Sequence, residues 1–200
     1  MDAVTTAPAH HLVTLGPADL AARLTESLDI YVAAMGYPPG TARQRRALWL
    51  EHVRRAGWRA VGAVDTRGAL AGIAYGYTGG PGQWWYEEVR RGLRARPPDG
   101  DGPPLGWLDD YFELTELHVS PDAQGAGLGE SLLRALVGGT GRRRVLLSTP
   151  EYGHRAPGRA WRLYRRLGFV DVLRDHRFTG DSRPFAVLGR DLPLPPRPRA

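Results

Sequence analysis

The sequence predicts a mixed α/β (α+β) fold in which one central sheet is flanked by helices. The 200 residues suit one domain with a single hydrophobic core. Strand-like and helical patterns follow one another in the order strand, helix, helix, strands, helix, strand, helix, strands, which is compatible with one layered sheet. We therefore predict a single domain over residues 1–192 and a proline-rich tail at 193–200.

The N-terminal part of the chain contains five predicted elements. In chain order they are a strand at 11–15, helices at about 17–34 and 41–56, and strands at 59–64 and 69–77. In the first helix, Leu20, Leu24 and Leu28 recur at four-residue spacing, and Pro17 suits a helix start. Residues 65–68 (Asp-Thr-Arg-Gly) are typical of a hairpin turn between the two strands.

The C-terminal part contains six predicted elements. They are a central strand at 112–119, a helix at 130–137, a strand at 145–148, a helix at 158–167, and strands near 169–173 and 184–188. Together with the N-terminal elements they complete the order from which the fold class is predicted.

Residues 79–110 form an insertion before the central strand. It begins with Gly79-Gly80-Pro81-Gly82, carries the aromatic cluster Trp84-Trp85-Tyr86, and ends in a proline- and glycine-rich linker at 97–104. Loops of this length are usually functional or disordered. Because aromatic side chains gain much free energy on burial, the first half is predicted to be a packed helix. It either covers one side of a functional site or shields the edge of the sheet.

The most informative motif is a glycine-rich loop between the central strand and the next helix, formed by Gln124, Gly125, Ala126, Gly127, Leu128 and Gly129. A helix N-terminus presents unpaired N–H groups at the positive end of the helix dipole. Glycine lets the backbone approach a phosphate without a Cβ in the way. The arrangement therefore predicts a binding site for a phosphate-bearing cofactor.

Other phosphate-binding motifs fit this stretch less well. A Rossmann loop requires G-x-G-x-x-G and an acidic residue about 20 residues further on, whereas the spacing here is G-x-G-x-G and residues 146–149 carry no carboxylate. A P-loop requires Gly-Lys-Ser/Thr, and the chain contains no lysine. A glycine-rich turn that only caps a surface helix is the remaining alternative.

Two motifs together resemble the acetyl-CoA-binding core of the GNAT superfamily of acyltransferases. The loop at 124–129 is similar to the family's (Arg/Gln)-x-x-Gly-x-(Gly/Ala) pyrophosphate loop, and Leu117-His118-Val119 to the end of its central strand. Residues 160–169 (AWRLYRRLGF) resemble its second signature, a helix that carries Leu-Tyr and is closed by Gly-Phe. Pro157 is a departure, because family members often carry an asparagine there that contacts the cofactor.

The resemblance implies a single GNAT-like domain with a mixed, mostly antiparallel sheet, a helical insertion before its central strand, and acetyl-CoA as co-substrate. It implies a set of cofactor-binding residues on the strand end and the loop. These are Leu117, His118, Val119, Gln124, Gly125, Ala126, Gly127, Leu128 and Gly129.

The same resemblance implies direct attack of an amine on the thioester, with Tyr164 as general acid near the CoA sulfur. A phenol, with a pKa of about 10, can donate a proton at neutral pH. The attacking amine must be neutral, so a base is expected. Glu116 and Glu113 are the candidates for the base or for ammonium recognition, and His118 and Glu151 are further options. Strand alternation places Glu116 and His118 on one face, but a bulge, common in this family, would break that parity.

Composition argues against several other classes. The formal net charge of +6 comes from arginines spread along the chain, and no nucleic-acid-binding module appears, so no nucleic-acid partner is predicted. The absence of cysteine excludes disulfides, a thiolate nucleophile and a sulfur metal site, and no metal is expected. No apolar run is long enough to span a membrane and no signal-peptide pattern is present, which predicts a cytoplasmic protein without membrane association. A homodimer is one possible assembly.

The acceptor is predicted to be a small-molecule or peptide amine. Acidic residues gather before and along the central strand, and they would favour a cationic acceptor; they are Asp99, Asp101, Asp109, Asp110, Glu113 and Glu116. The tryptophans of the insertion could equally line a pocket for an apolar acceptor. Two other functions stay open: a CoA-binding sensor or regulatory module without turnover, and a basic nucleic-acid-binding protein whose affinity would fall steeply with salt.

Overall fold

The computed structural model describes residues 10–96, 105–151 and 158–197. The strands of these residues are β1 (His11–Leu15), β2 (Arg59–Val64), β3 (Leu70–Thr78), β4 (Tyr111–Val119), β5 (Arg144–Pro150), β6 (Val170–His176) and β7 (Phe185–Asp191). The α-helices are α1 (Pro17–Ala22), α2 (Leu24–Met35), α3 (Thr41–His52), α4 (Trp84–Arg94), α5 (Leu128–Val137) and α6 (Arg159–Arg166). Short 3-10 helices lie at Leu105–Leu108 and Pro121–Ala123.

The strands form one seven-stranded sheet in the order β1-β2-β3-β4-β5-β7-β6. The pairs β1/β2, β2/β3, β5/β7 and β6/β7 are antiparallel. By contrast, β4 and β5 pair in parallel, with Tyr111 opposite Arg144 and Glu113 opposite Leu146. The predicted fold class, a mixed and mostly antiparallel sheet flanked by helices with a helical insertion before the central strand, is confirmed.

The chain is arranged as two compact units. Of the described residues, the first unit contains 10–76 and 116–136, and the second contains 77–96, 105–115, 137–151 and 158–197. The long strands β3 and β4 each contribute residues to both units. Each unit has its own buried apolar cluster.

The core of the first unit joins α1, α2 and α3 to the strands β1, β2 and β3. Its buried members are Leu15, Leu20, Leu24, Leu28, Tyr31, Trp49, Ala60, Ile73 and Tyr75. Full burial of a leucine side chain stabilises a fold by roughly 2 kcal/mol, so the predicted apolar stripe of the first helix accounts for much of this packing.

The predicted helix at 17–34 is divided into α1 and α2 at Arg23. Arg23 leaves helical geometry, with φ −99° and ψ 12°. Its guanidinium donates hydrogen bonds to the Gly68 carbonyl (3.0 Å) and to Glu26 (3.1 Å). Leu20 and Leu24, on either side of the break, are both buried, so the apolar spacing predicted the buried face correctly but not the break.

The helix predicted at 41–56 ends at His52. Beyond it the backbone closes in three-residue turns, with Arg54 N–H donating to the Glu51 carbonyl (3.0 Å) and Arg55 N–H to the His52 carbonyl (3.0 Å). Gly57, with φ 67°, then redirects the chain into β2. The predicted turn at 65–68 is confirmed, and Asp65 Oδ1 accepts the N–H groups of Arg67 (2.8 Å) and Ala69 (2.9 Å).

The core of the second unit packs α4 against β5, β6 and β7. Its buried members are Trp85, Val89, Leu93, Leu108, Tyr111, Leu146, Val172, Leu173, Phe178 and Val187. A Cβ on Gly92 would lie 2.7 Å from Leu173 Cδ1 and 2.9 Å from the His176 ring, so the absence of a side chain at this position lets α4 approach β6.

Candidate active site

Residues 124–127 of the glycine-rich loop lie between the 3-10 turn at Pro121–Ala123 and α5. Leu128 and Gly129 are the first residues of α5, which begins two residues earlier than predicted. Gly125 and Gly127 have φ values of 93° and 76°, a backbone region that is unfavourable for residues with a Cβ. Both glycines and Ala126 are exposed. The loop is held at its base because Gln124 Nε2 donates to the Val119 carbonyl (3.0 Å).

The entry into α5 has the features of an anion site. Ser131 N–H and Ser131 Oγ both donate to the Gly127 carbonyl, at 3.1 and 3.2 Å, which closes the first turn of the helix. The N–H groups that precede this turn lie at the positive end of the α5 dipole. A Cβ on Gly127 would meet no heavy atom within 4 Å, so the space in front of the loop is open. Such an open helix start is suited to binding an anion.

The strand before the loop is held closely against β3 in the first unit. Ser120 N–H donates to the Ala71 carbonyl (2.8 Å). A Cβ on Gly72 would lie 3.1 Å from the His118 carbonyl oxygen and 2.9 Å from Leu132 Cδ1. The position of the loop is therefore fixed by contacts of β3 with the strand before the loop and with the helix after it. Leu117 and Val119, next to the loop, are partly exposed.

Glu116 and His118 are in direct contact. His118 Nε2 lies 2.5 Å from Glu116 Oε2, and both side chains are therefore on one side of β4, as strand alternation predicts. The His118 side chain is 9% exposed and the Glu116 side chain 16% exposed. On its other side the His118 ring packs edge-on against Tyr31 of α2, with ring centroids 5.0 Å apart.

Two other titratable groups of the first unit have strongly shifted pKa values. Burial, with a smaller effect of the Glu116 carboxylate, raises the pKa of Tyr31 to about 12, so the phenol stays protonated. Burial, with a smaller effect of the Arg55 guanidinium, lowers the pKa of His52 to about 4. The neutral His52 ring lies with Nδ1 3.0 Å from the Tyr75 hydroxyl.

Glu113 has a different environment in the second unit. It is 3% exposed, and its Oε1 accepts a hydrogen bond from the Tyr77 hydroxyl at 2.9 Å. Tyr77 was not among the predicted site residues. Strand alternation places Tyr75 and Tyr77 on one side of β3, but it does not identify Glu113 as the partner of Tyr77.

Glu151, the further option for a base, forms an ion pair. Arg174 donates to it through Nε (2.8 Å) and a second guanidinium nitrogen (3.1 Å), and the Asp175 N–H donates at 3.0 Å. The hydrogen bonds from Arg174 contribute most to lowering the pKa of Glu151. Its charge is therefore largely compensated within the protein.

Tyr164 lies on α6, which ends in the predicted Gly-Phe closure. The residue is buried, and its ring centroid is 5.4 Å from that of Phe169. Gly168 has φ 78°, and the Phe169 N–H donates to the Tyr164 carbonyl (3.0 Å), so the signature forms a closed helix end. Pro157, the departure from the family pattern, lies outside the described residues.

The first half of the insertion is the helix α4, as predicted. Trp85 is buried and donates through Nε1 to Ser148 Oγ (3.2 Å). Trp84 is 54% exposed, and its ring lies tilted against that of Phe178, with centroids 5.4 Å apart. Glu88 is buried and accepts hydrogen bonds from Thr179 N–H (2.8 Å) and Thr179 Oγ1 (3.1 Å). The insertion therefore packs on the sheet of the second unit and binds the segment between β6 and β7.

The predicted acidic patch is partly compensated. Asp110 forms an ion pair with Arg142 (3.2 Å), and Asp99 and Asp101 lie outside the described residues.

Within residues 10–96, 105–151 and 158–197, no helix is both long and apolar enough to cross a membrane. In the same residues, no three or more His, Asp or Glu side chains gather as a metal ion would require.

The mixed sheet, with a positive-φ glycine loop leading into α5, defines an acetyltransferase of the GNAT type. The acetyltransferase (GNAT) domain model matches residues 94–171, which include β4, the loop, α5, β5 and α6. The GCN5-like protein acetyltransferase of Mycobacterium tuberculosis is 47% identical over 207 residues, covering 92% of this chain and 98% of that relative. The chain belongs to the GNAT family of acetyltransferases.

Solved structures agree on the fold. A putative GNAT-family acetyltransferase from Desulfovibrio desulfuricans superposes with a TM-score of 0.61 at 20% identity, covering 92% of this chain and 99% of that chain. The putative acetyltransferase YncA from Salmonella typhimurium, solved with its cofactor acetyl-CoA, gives a TM-score of 0.57 at 19% identity, covering 96% and 99%. At these identities the likeness concerns the fold alone.

Proposed function

We propose that this protein transfers the acetyl group of acetyl-CoA to a primary amine, with residues 1–192 acting as one catalytic domain. The observation that carries the proposal is the loop at 124–129. Two positive-φ glycines expose backbone at the start of α5, and the space beside Gly127 is open. Gln124, Gly125, Ala126, Gly127, Leu128 and Gly129 would hold the pyrophosphate, and Leu117, His118 and Val119 would form the strand end beside the rest of the cofactor.

Bound acetyl-CoA supplies a reactive thioester, whose C–S bond breaks as the amine nitrogen forms a bond to the acetyl carbon. The protein then has two proton-transfer tasks: to take one proton from the acceptor ammonium and to give one to the departing thiolate. We assign the first task to Glu116 and the second to Tyr164. Glu116 passes its proton to water, and the second proton that the nitrogen loses as the C–S bond breaks replaces the one that Tyr164 gives to the thiolate. The products are then the neutral amide, the free thiol and one released proton.

Glu116 suits the role of base better than Glu113. A base must reach the acceptor, and the Glu116 side chain keeps 16% exposure while Glu113 is 3% exposed. Glu113 already accepts the hydroxyl of Tyr77. We therefore propose that Glu113 organises the strand, and that Glu116 removes the proton directly or through water.

A protein amine is the proposed acceptor. The support is the relative from Mycobacterium tuberculosis, which is named a protein acetyltransferase and is similar over almost the whole chain. An acceptor on a protein surface would present a lysine side chain or an N-terminus, both of which are cations at neutral pH. The Glu116 carboxylate carries the opposite charge.

The test is a thiol-release assay with acetyl-CoA and a panel of amines. The panel contains a lysine peptide, a peptide with a free N-terminus, an amino sugar, a polyamine and a small aromatic amine. The chain has no cysteine, so a thiol reagent reads only released CoA, and it has no lysine, so lysine acetylation found by mass spectrometry belongs to the acceptor. We expect turnover with at least one peptide amine.

Two outcomes would contradict the proposal. If calorimetry detects no binding of acetyl-CoA, the proposed role of the loop at 124–129 is wrong. If acetyl-CoA binds but no amine in the panel is acetylated, the result favours a CoA-binding module without turnover.

A further inference from the structure

The contact between His118 and Glu116 has a defined direction. An ionised carboxylate can only accept hydrogen bonds, so the proton of the 2.5 Å contact belongs to His118 Nε2. One oxygen of Glu116, Oε2, is committed to this bond, and Oε1 is the oxygen left for a substrate.

The His118 ring is held in place from behind. Tyr31 lies edge-on to it, with the two ring planes at 77°, and Tyr31 in turn packs against Trp49, with centroids 5.9 Å apart. Both Tyr31 and Trp49 are buried in the core of the first unit. A swing of the His118 side chain away from Glu116 would therefore require this aromatic packing to open.

The titratable groups near this pair include one cation, Arg45. Tyr31 contacts the His118 ring directly and Tyr37 packs against Tyr31, whereas Tyr75 packs against Trp49 and bonds His52. Tyr31, whose pKa is raised to about 12, stays a neutral phenol, and the Arg45 guanidinium partly offsets that rise in pKa. His52, whose pKa is lowered to about 4, stays a neutral imidazole near pH 7.

We infer that His118 is a positioning residue for acetyl transfer, which fixes the Glu116 carboxylate by donating Nε2–H to Oε2 and leaves Oε1 for the acceptor amine. The inference rests on the proposed function, with Glu116 as the base. The His118 side chain would therefore act only through Glu116 and would not bind acetyl-CoA. The backbone of His118 belongs to the strand that is proposed to bind the cofactor.

The test compares two substitutions of His118 and a matched control. H118F removes the donor and keeps a flat ring, and we expect kcat to fall roughly tenfold or more while the KM for acetyl-CoA stays within about twofold. H118Q keeps an N–H donor and should restore most of the rate. His52→Phe is the control, because it removes another buried histidine of the same unit that bonds a tyrosine, and its kcat should stay within about twofold of the wild type.

A double-mutant cycle separates an effect through Glu116 from a general loss of structure. In the E116Q background, H118F should cause no further loss of kcat, because the group that it positions is gone. An equal loss in both backgrounds would overturn the inference, and so would an H118F enzyme with wild-type kcat.

A spectroscopic measurement on the unmodified protein tests the contact without turnover. Nitrogen NMR of the labelled imidazole should show that His118 Nε2 carries a proton, and E116Q should change the Nε2 resonance. An Nε2 without a proton would overturn the inference even if acetyl transfer is found. A wild-type protein that acetylates no amine would refute the proposed function instead, and with it the catalytic role of His118, whatever the protonation of Nε2.

Discussion

The two halves of β4 differ in what surrounds their carboxylates. In the first half, Tyr111 to Leu114 are all buried, and Glu113 is closed off from solvent with a phenol as its hydrogen-bond donor. In the second half, Thr115 to Leu117 are partly exposed, and Glu116 is held by an imidazole while it keeps access to solvent. Glu113 and Glu116, three residues apart on one strand, therefore differ in hydrogen-bond partner and in access to a substrate.

The difference shows that residue type and strand position do not identify a base. Glu113 and Glu116 have the same side chain, and both lie on the strand that leads to the glycine loop. What separates them is the partner and the remaining exposure, which depend on Tyr77 in one case and on His118 with Tyr31 behind it in the other. The following predictions test this contrast, from the largest expected effect to the smallest.

The largest effect is expected from a substitution in the glycine loop that follows β4, measured as affinity for acetyl-CoA. Gly127→Val places a β-branched side chain at φ 76° and fills the open space in front of α5. We expect acetyl-CoA to bind roughly 100-fold more weakly or not at all by calorimetry. Gly68→Val is the control, because Gly68 has φ 83° and open surroundings in the β2–β3 turn of the same unit. It should lose stability and keep its affinity; equal affinities for both variants would contradict the cradle.

The two carboxylates can be compared by matched substitutions. Glu116→Gln removes the proposed base, and we expect kcat to fall about 100-fold because general base catalysis is lost. Glu113→Gln keeps an oxygen that accepts the Tyr77 hydroxyl, so kcat should stay within about threefold. Steady-state kinetics with the best acceptor of the amine panel gives both values. A larger loss for Glu113→Gln than for Glu116→Gln would reverse the assignment.

Tyr164 tests whether the acid of the reaction lies outside β4. Tyr164→Phe removes the hydroxyl and keeps the ring that packs on Phe169, so we expect kcat to fall about tenfold with unchanged acetyl-CoA affinity. Tyr75→Phe removes another buried hydroxyl, the one that bonds His52, and serves as the control. If both variants lose activity equally, the loss reflects packing and the acid is elsewhere.

His52 gives a prediction for the pH dependence of the free energy of unfolding. Because the folded-state pKa of His52 is about 4, below its ordinary 6.5, the unfolded chain takes up the proton first on acidification. Stability is therefore unaffected by this group well above pH 6.5 and is lost as the pH falls from 6.5 toward 4. Between pH 7 and 5.5 the loss should be about 1 kcal/mol in denaturant titrations. His52→Phe should have a flatter dependence, and an equally steep one would contradict this origin.

Local pattern was sufficient for much of the fold and for the loop. The strand at 59–64, the turn at 65–68 and the helix after the glycines all follow from spacing, turn residues and apolar periodicity, which act over a few positions. The loop before a helix was predicted for the same reason, and Gly125 and Gly127 adopt positive φ, which glycine tolerates best. The helix begins at Leu128, two residues earlier than predicted.

Contacts between distant residues could not be predicted in this way. The Arg23 guanidinium bonds the Gly68 carbonyl, 45 residues away, and the hydroxyl held by Glu113 comes from Tyr77, 36 residues away. The environment of Glu116 likewise depends on a tyrosine of α2. A single sequence gives the period of an element but not its partner across a core. Glu116 and Glu113 therefore remained the candidates for the base, with His118 and Glu151 as further options.

Glu88 links α4 to the segment between β6 and β7, so a change in one of these segments affects the other. Its buried carboxylate on α4 receives the N–H and hydroxyl of Thr179, 91 residues further on. A chimera that takes residues 79–96 alone from a relative with a different residue at position 88 would leave the Thr179 donors without their acceptor. The free energy of unfolding should then fall by about 1–3 kcal/mol. Recombination and loop grafting in this protein should therefore treat 79–96 and 177–184 as one cassette.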